Sequence, residues 1–299
     1  MKIKKAVIPA AGYGTRMLPA SKAVPKEMIN IYNKPSIQYV VEEAVNSGIS
    51  DIIIITSTGK TDIANHFDKN FDLEEKLKES GKMELYNQIK NISNLCNIYF
   101  KRQILSKGLA DAIMEARSFV GEEPFAVLLP DDITYGKTPA ILELIEEYEK
   151  RQSIIVGAKE VSIEDASKYG ICFGEKVDEK TLKLKDMIEK PTKDIPKNPM
   201  AALGRYVLDK DIFPKIENLK KGKNDEYQLT DAIKALCKEK DVFAYDFYAK
   251  RYDAGNVLGA LKASIEFGLR DDSAKLDLKK YIIEISEKLK KGESIWQRK

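Results

Sequence analysis

The run Ala6-Val7-Ile8-Pro9-Ala10-Ala11-Gly12-Tyr13-Gly14-Thr15-Arg16 constrains the fold most, because an apolar strand ends there in a loop of small residues closed by a cation. Val7 and Ile8 predict the end of a buried strand. Beyond them, Ala11, Gly12 and Gly14 carry so little side chain that backbone N–H groups lie open to a phosphate chain. Arg16 adds a planar fork of donors suited to phosphate oxygens. Met17 stands where the third glycine of G-x-G-x-x-G would be, and no Gly-Lys-Ser/Thr follows, so this is neither a dinucleotide fingerprint nor a Walker A loop. A plain tight turn and a nucleotide site both remain open at this point.

Pro19 and Pro25 in Leu18-Pro19-Ala20-Ser21-Lys22-Ala23-Val24-Pro25-Lys26-Glu27-Met28 predict that the chain stays extended instead of opening a helix. The segment then carries Lys22 and Lys26 back towards Arg16. Three cations around one glycine turn repel each other unless an anion sits among them, and a triphosphate has the charge to do so.

The composition narrows the chemistry. A net charge of +3 over 299 residues makes no case for nucleic-acid or membrane binding, and the basic stretch from Lys288 to Lys299 reads as a solvated helix end. Lys2, Lys4 and Lys5 precede an apolar run too short for a signal peptide, and no stretch is long enough to span a bilayer, so a cytoplasmic protein is expected. Cys96, Cys172 and Cys237 lack metal or disulfide spacing and read as small buried thiols. His66 is the sole histidine and reads as a helix-surface residue, which excludes a serine triad or a histidine-rich metal site. Charge, carboxylates and metals must do the work.

The order of elements predicts an α/β fold: a Rossmann-like, mostly parallel (mixed) sheet flanked by helices. Ile37, Val40, Val41, Ala44 and Val45 share one face of a helix that Pro35 opens and Gly48 ends, and Asp51 to Ile55 then reads as a strand buried on both faces. A polar helical excursion is expected from Leu73 to Leu95, a strand at Asn97 to Arg102, a helix from Leu109 to Val120, and a strand at Phe125 to Leu129 ending on Asp131 and Asp132. A helix from Pro139 to Lys150 and a strand from Ile154 to Ala158 follow. From about Ser162 to Arg205 shorter strands and turns suggest a smaller lobe. Helices are expected at Asp225 to Lys238 and Val257 to Leu269, the strand from Val242 to Tyr248 lying between them. A last helix has Tyr281, Ile282, Ile285 and Leu289 as an apolar stripe, to be covered by the body or by another subunit. With no repeat or long linker, residues 1–299 read as one domain, its halves at about 1–160 and 161–299.

Ligands of open α/β sheets bind at the carboxyl ends of strands, where both the glycine loop and Asp131 fall. Alone, Asp131 is a turn residue or a metal ligand. Asp253 also follows a strand and precedes Ala254-Gly255, and two such aspartates offer hard oxygens to Mg2+, which takes one or two carboxylates plus substrate phosphates. Gln103 and Gly108 by themselves make a polar loop, and Glu189-Lys190 a solvated pair.

Read together, G-x-G-T-R, P-K-E-M, I-Q-Y-V-V-E-E-A, L-L-P-D-D, S-K-Y-G-I, E-K-P, G-R-Y-V-L, Q-L-T-D-A-I and F-G-L-R resemble, in order, the motifs of the sugar-nucleotide pyrophosphorylases, or nucleotidyltransferases. The form A-S-K-A-V-P-K-E-M is most similar to the bacterial uridylyltransferases that use UTP and glucose 1-phosphate. The resemblance implies a glycosyltransferase-A-like fold with a nucleotide half and a sugar-binding lobe, often assembled as a homo-oligomer. It implies Mg2+-dependent transfer of a uridylyl group from UTP to glucose 1-phosphate, giving UDP-glucose and pyrophosphate. It also implies roles: Asp131 and Asp253 for Mg2+, Gln103 and Gly108 for the base, Gly170, Glu189 and Lys190 for the sugar and its phosphate. Arg16 would meet the departing phosphates and Lys26 the charge near the reacting centre. Two departures stand out: Ala254 replaces a usual cysteine, and Gly108-Leu109-Ala110-Asp111 replaces G-L-G-H and resembles thymidylyltransferase loops. A dTTP- or other-sugar-specific enzyme and a non-catalytic regulatory homologue therefore stay open.

Overall fold

In the computed structural model, which describes residues 2–222 and 225–294, the opening apolar run forms β1 (Lys5–Pro9) inside a nine-stranded sheet. β2 (Asn30–Ile31) and β3 (Lys34–Pro35) make a small antiparallel ribbon ahead of the helix Ser36–Asn46. β4 (Asp51–Thr56), β5 (Asn97–Arg102) and β6 (Phe125–Leu128) extend the sheet in parallel from β1, as expected of β-α-β units. β7 (Asp132–Tyr135) leaves the sheet. Next come β8 (Ile155–Glu160), β9 (Gly170–Lys176), β10 (Thr181–Glu189), β11 (Met200–Leu208) and β12 (Phe243–Asp246), while β13 (Lys250–Asp253) pairs with β7 in an antiparallel ribbon. The sheet order is β5-β4-β1-β6-β11-β8-β12-β10-β9, and β11 runs antiparallel to both β6 and β8.

Alternation along the central strands builds two cores. Ala6, Ile8, Ile52 and Ile54 face the layer formed by the helices Ser36–Asn46 and Ala140–Arg151. Val7, Ile53, Ile55, Phe125 and Val127 face the other layer, formed by Leu109–Glu115 and Leu229–Leu236. Each fully buried isoleucine contributes about 1.5–3 kcal/mol relative to exposure. This two-sided burial fixes the carboxyl ends of β1, β4 and β6 side by side, and the loops that leave them converge.

Several expectations change. The segment after Gly14 is not extended: it winds into three single 3-10 turns, Thr15–Met17, Ala20–Lys22 and Lys26–Met28, with Pro19 and Pro25 as the residues before the second and third. Proline's fixed φ starts the turn that follows it, and its missing N–H keeps the turn before it from lengthening. The expected excursion at Leu73 to Leu95 is two helices, Phe71–Glu79 and Met83–Ile92, broken where Gly81 takes φ 71°. The helix expected from Leu109 to Val120 divides at Ala116.

The helix placed at Asp225 to Lys238 spans only Leu229–Leu236. Tyr227 is held beforehand, its N–H donating to Lys107 O at 2.7 Å and its carbonyl accepting from Ala110 N at 3.1 Å. The strands between Ser162 and Arg205 are neither short nor apart: they continue the main sheet through long antiparallel pairings. His66 is half-buried and hydrogen-bonded to Gln38 across 3.0 Å; Cys172 is buried, Cys96 and Cys237 half-buried.

No residue of the last helix, Lys275–Lys290, is buried, and Tyr281 and Leu289 of its stripe are exposed. The basic stretch expected to 299 lies outside the described residues beyond 294. Among the described residues no helix is long and apolar enough to cross a membrane.

Candidate active site

The glycine loop leaves β1 with its carbonyls tied down. Lys60, just past the end of β4, donates to Ala10 O at 2.6 Å, Gly12 O at 2.7 Å and Glu27 Oε2 at 2.8 Å. In a trans peptide the carbonyl and the following N–H point opposite ways, so holding these two oxygens below the loop turns the amides of Ala11 and Tyr13 outward. The amides of Ala11, Gly12, Tyr13 and Gly14 donate to no backbone carbonyl among the described residues. They are available to an anion. Gly14 takes φ 68°, and a Cβ there would sit 2.9 Å from the Lys26 Cβ. Glu27 is almost fully buried; burial pushes its carboxyl up against the opposing pull of Lys60, and its Oε1 has no partner.

Arg16 and Lys26 do come together, on Asp131. Lys26 Nζ lies 2.6 Å and Arg16 Nη2 3.5 Å from Asp131 Oδ2, and Arg16 Nη1 is 3.9 Å from Asp253 Oδ2. Burial alone would push the Asp131 carboxyl up, but the Lys26 charge and hydrogen bond, with Arg16, hold it below its ordinary value. Burial likewise works against the Lys26 ammonium, and Asp131 with Glu27 outweighs it, holding that group above its ordinary value. Lys22, expected at the same place, is exposed and reaches neither cavity described below. The mutual repulsion that required an anion is met here by carboxylates of the protein.

The two aspartates share one small space. Ala254 N donates to Asp131 O at 2.8 Å, which draws the turn after β13 onto the turn after β6. A Cβ on Gly255 would meet Asp131 Oδ2 and Arg16 Nη2 at 2.6 Å and Asp253 Oδ1 at 3.1 Å, so only glycine leaves that space open. Two hard carboxylates facing one gap fit a Mg2+ ion that draws its other oxygens from water and phosphate. Among the described residues no group of three or more His, Cys, Asp or Glu is placed to hold a metal, so substrate oxygens would have to complete the shell. Asp132 turns away, to Arg251, which also donates to Tyr169 Oη at 2.9 Å.

Two cavities meet at this corner, and both are walled by Arg16 and Asp131. The one of about 370 Å3 contains Gly12, Lys26, Gln103 and Gly108. Gln103 is 3% exposed, and its Nε2 donates to Asp111 Oδ2 at 2.7 Å and Gly108 O at 3.3 Å. The donor end of this amide is thus spent inside the protein. The cavity of about 470 Å3 contains Gly170, Glu189, Lys190 and Asp253. Glu189 Oε2 accepts from Thr230 Oγ1 at 2.6 Å, and Lys190 Nζ is 3.5 Å from Glu189 Oε1. A Cβ on Gly170 would press on both Thr230 and Glu189 at about 3 Å.

Sequence reasoning missed Lys60, Thr230, Gln228 and Arg251 as wall or support residues. Lys60 had a signal: a Ser57-Thr58-Gly59-Lys60 loop follows a strand with four consecutive isoleucines at the sheet's ligand-binding edge. Thr230 and Arg251 gave none, since the first depends on how the helix Leu229–Leu236 packs on β10 and the second on how β13 pairs with β7.

A mixed sheet with an open-amide glycine loop, paired cations and two converging aspartates is the layout of an enzyme acting on nucleotide phosphates. The chain belongs to the nucleotidyl transferase family, whose sequence model matches residues 5–267. Among its relatives, a UTP–glucose-1-phosphate uridylyltransferase of Bacillus subtilis is 48% identical over 270 residues, covering 90% of this chain and 92% of that protein. A crystal structure of a UDP-glucose pyrophosphorylase complexed with UDP-glucose superposes with TM-score 0.82 at 41% identity, over 90% of this chain and 100% of that one. A UTP-bound UGPase from Acinetobacter baumannii superposes with TM-score 0.87 at 36% identity, over 94% and 99%.

Proposed function

We propose that this protein transfers a uridylyl group from UTP to glucose 1-phosphate, releasing pyrophosphate and forming UDP-glucose. The observation that carries the reading is the shared wall: the cavity holding Gly12, Gln103 and Gly108 and the cavity holding Glu189 and Lys190 both end on Arg16 and Asp131. A nucleotide in one and a sugar phosphate in the other would bring their phosphates together there. The proposed division of labour follows, with residues up to about 160 supplying the nucleotide side and later ones most of the sugar side.

The chemistry needs no general base. The phosphate of a sugar 1-phosphate has a second pKa near about 6 and is already an anionic nucleophile at neutral pH. One of its oxygens attacks the α-phosphorus of UTP, the bond to the bridging β-phosphate oxygen breaks, and its electron pair leaves with pyrophosphate. What opposes the step is repulsion between anions, so positioning and charge neutralisation are the protein's tasks.

We assign the amides of Ala11, Gly12 and Gly14, with Arg16, to the triphosphate, and Lys26 to charge near the α-phosphorus. Lys190 meets the sugar phosphate, and Glu189 with Gly170 the sugar hydroxyls. Asp131 and Asp253 would hold Mg2+, which when bound supplies positive charge to the phosphates. Lys26, now on Asp131, is close enough to exchange that carboxylate for a phosphate oxygen. A cytoplasmic setting fits a protein fed by a nucleoside triphosphate.

The test is pyrophosphate release with Mg2+ over a grid of UTP, dTTP and CTP against glucose 1-phosphate and its isomers. A maximum at UTP with glucose 1-phosphate is expected. A maximum at another pair would move the specificity, and no turnover on any pair, with UDP-glucose still bound, would overturn the catalytic reading.

A further inference from the structure

Gln103 sits almost fully buried at the end of β5 and lines the smaller cavity, and its amide can either donate or accept. Which end faces the cavity is decided by its neighbours. Asp111 Oδ2 at 2.7 Å and Gly108 O at 3.3 Å both address Nε2, and a carboxylate and a backbone carbonyl can only accept. Turning the amide over would set its carbonyl oxygen against both of them. Oε1 is therefore left towards the cavity, with no donor among the described residues, and it is not among the buried unpartnered atoms.

We propose that Asp111 is a positioning residue for nucleotide choice: by fixing the Gln103 amide it presents a lone acceptor to the base, which selects an imide N–H and rejects a ring nitrogen with a lone pair. This rests on the proposed nucleotide site. Uracil and thymine carry that N–H at N3. Cytosine carries a lone pair there, which would face the Oε1 lone pairs. The base edge thus separates UTP from CTP but not UTP from dTTP. The second separation must come from the ribose or the 5-methyl group.

Asp111 also lies in the first turn of the helix Leu109–Glu115, where any acidic residue favours the helix terminus. A role limited to that would change stability and affect all nucleotides alike. The ratio between nucleotides separates the two.

The experiment measures kcat/KM and, by calorimetry, binding for UTP and CTP with wild type, Asp111→Asn and Asp111→Glu. Asparagine can donate as well as accept, so the Gln103 amide is free to turn. The UTP-to-CTP ratio is expected to fall about tenfold or more, the scale of one hydrogen bond to a charged group, and Asp111→Glu to restore part of it. A ratio within twofold of wild type, or an equal loss for both nucleotides, would overturn the proposal. If Asp111→Asn fails to melt cooperatively, Asp111→Ala carries the same ratio, with Gly108 O alone left to orient the amide. If wild type turns over no sugar phosphate, the functional reading fails, and the binding ratio still decides the role of Asp111.

Discussion

Two ion pairs flank the turn after β6, and they differ in how completely they are satisfied. Arg205 is fully buried and donates to Glu43 Oε1 at 3.0 Å and Oε2 at 2.6 Å, to Asp132 O at 2.6 Å, Gly204 O at 3.0 Å and Leu129 O at 3.3 Å. Glu43 accepts in addition from Ile141 N at 3.0 Å and Thr134 Oγ1 at 2.8 Å. Lys26, by contrast, donates among the described residues to Asp131 alone, at 2.6 Å, with both side chains 18% exposed. The saturated pair clamps the carbonyls on either side of Asp131; the unsaturated pair keeps donors in reserve beside it. One sets where the carboxylate stands, and the other meets what arrives.

Breaking the saturated pair should have the largest effect. Arg205→Met leaves Glu43 buried without its cation and is expected to cost about 3–5 kcal/mol of stability. For a chain of this size that lowers the melting midpoint by roughly 5–8 °C. A midpoint within two or three degrees of wild type would remove the distinction.

Breaking the unsaturated pair should leave the melt nearly unchanged and strike turnover. Lys26→Met is expected to lower kcat about 10²- to 10³-fold, the scale of one donor aimed at developing charge. A large fall in melting temperature with kcat preserved would exchange the roles of the two pairs.

The third test concerns the loop beneath Lys26. Lys60→Met releases the carbonyls of Ala10 and Gly12, so the KM for UTP should rise about tenfold, the scale of one charged hydrogen bond. The KM for sugar phosphate should stay within about twofold. Equal changes in both would mean that Lys60 only supports the fold.

The smallest effect sharpens the comparison through pH. Asp131 is held below its ordinary value and Lys26 above its own, so the pair stays ionised across the neutral range. The stability due to the depressed Asp131 is present above the unfolded carboxylate value of about 3.9 and fades as pH falls through the lower folded value. The acid limb of kcat/KM should therefore follow the sugar phosphate, near about 6. A limb that shifts in the Lys26→Met variant instead would assign it to the protein.

The strands β1, β4 and β6 were legible because burial on both faces demands uninterrupted apolar runs such as Ile52-Ile53-Ile54-Ile55, and such runs have few other uses. The glycine loop and the two aspartates were legible because each lies at a strand end, and Arg16 and Lys26 because they are cations in the segment that continues that loop. The start of the helix at Leu229 was not, since Tyr227 is kept out of it by hydrogen bonds to Lys107 and Ala110, far away in sequence. Nor was the continuity of the sheet through β9, β10 and β11, where alternating patterns suit a separate lobe as well as an extension.

The sequence by itself determined the kinds of groups available: a loop of small residues, cations close to it in the chain, two strand-end aspartates and a single histidine. These follow from residue type and from local periodicity. Only the tertiary structure decided which cation meets which carboxylate, that Lys22 stays outside, that Lys60 turns the loop's amides outward and that Asp111 takes the donor end of Gln103. Each of those is a contact between segments brought together by the register of the sheet, and register is settled by the packing of both faces at once.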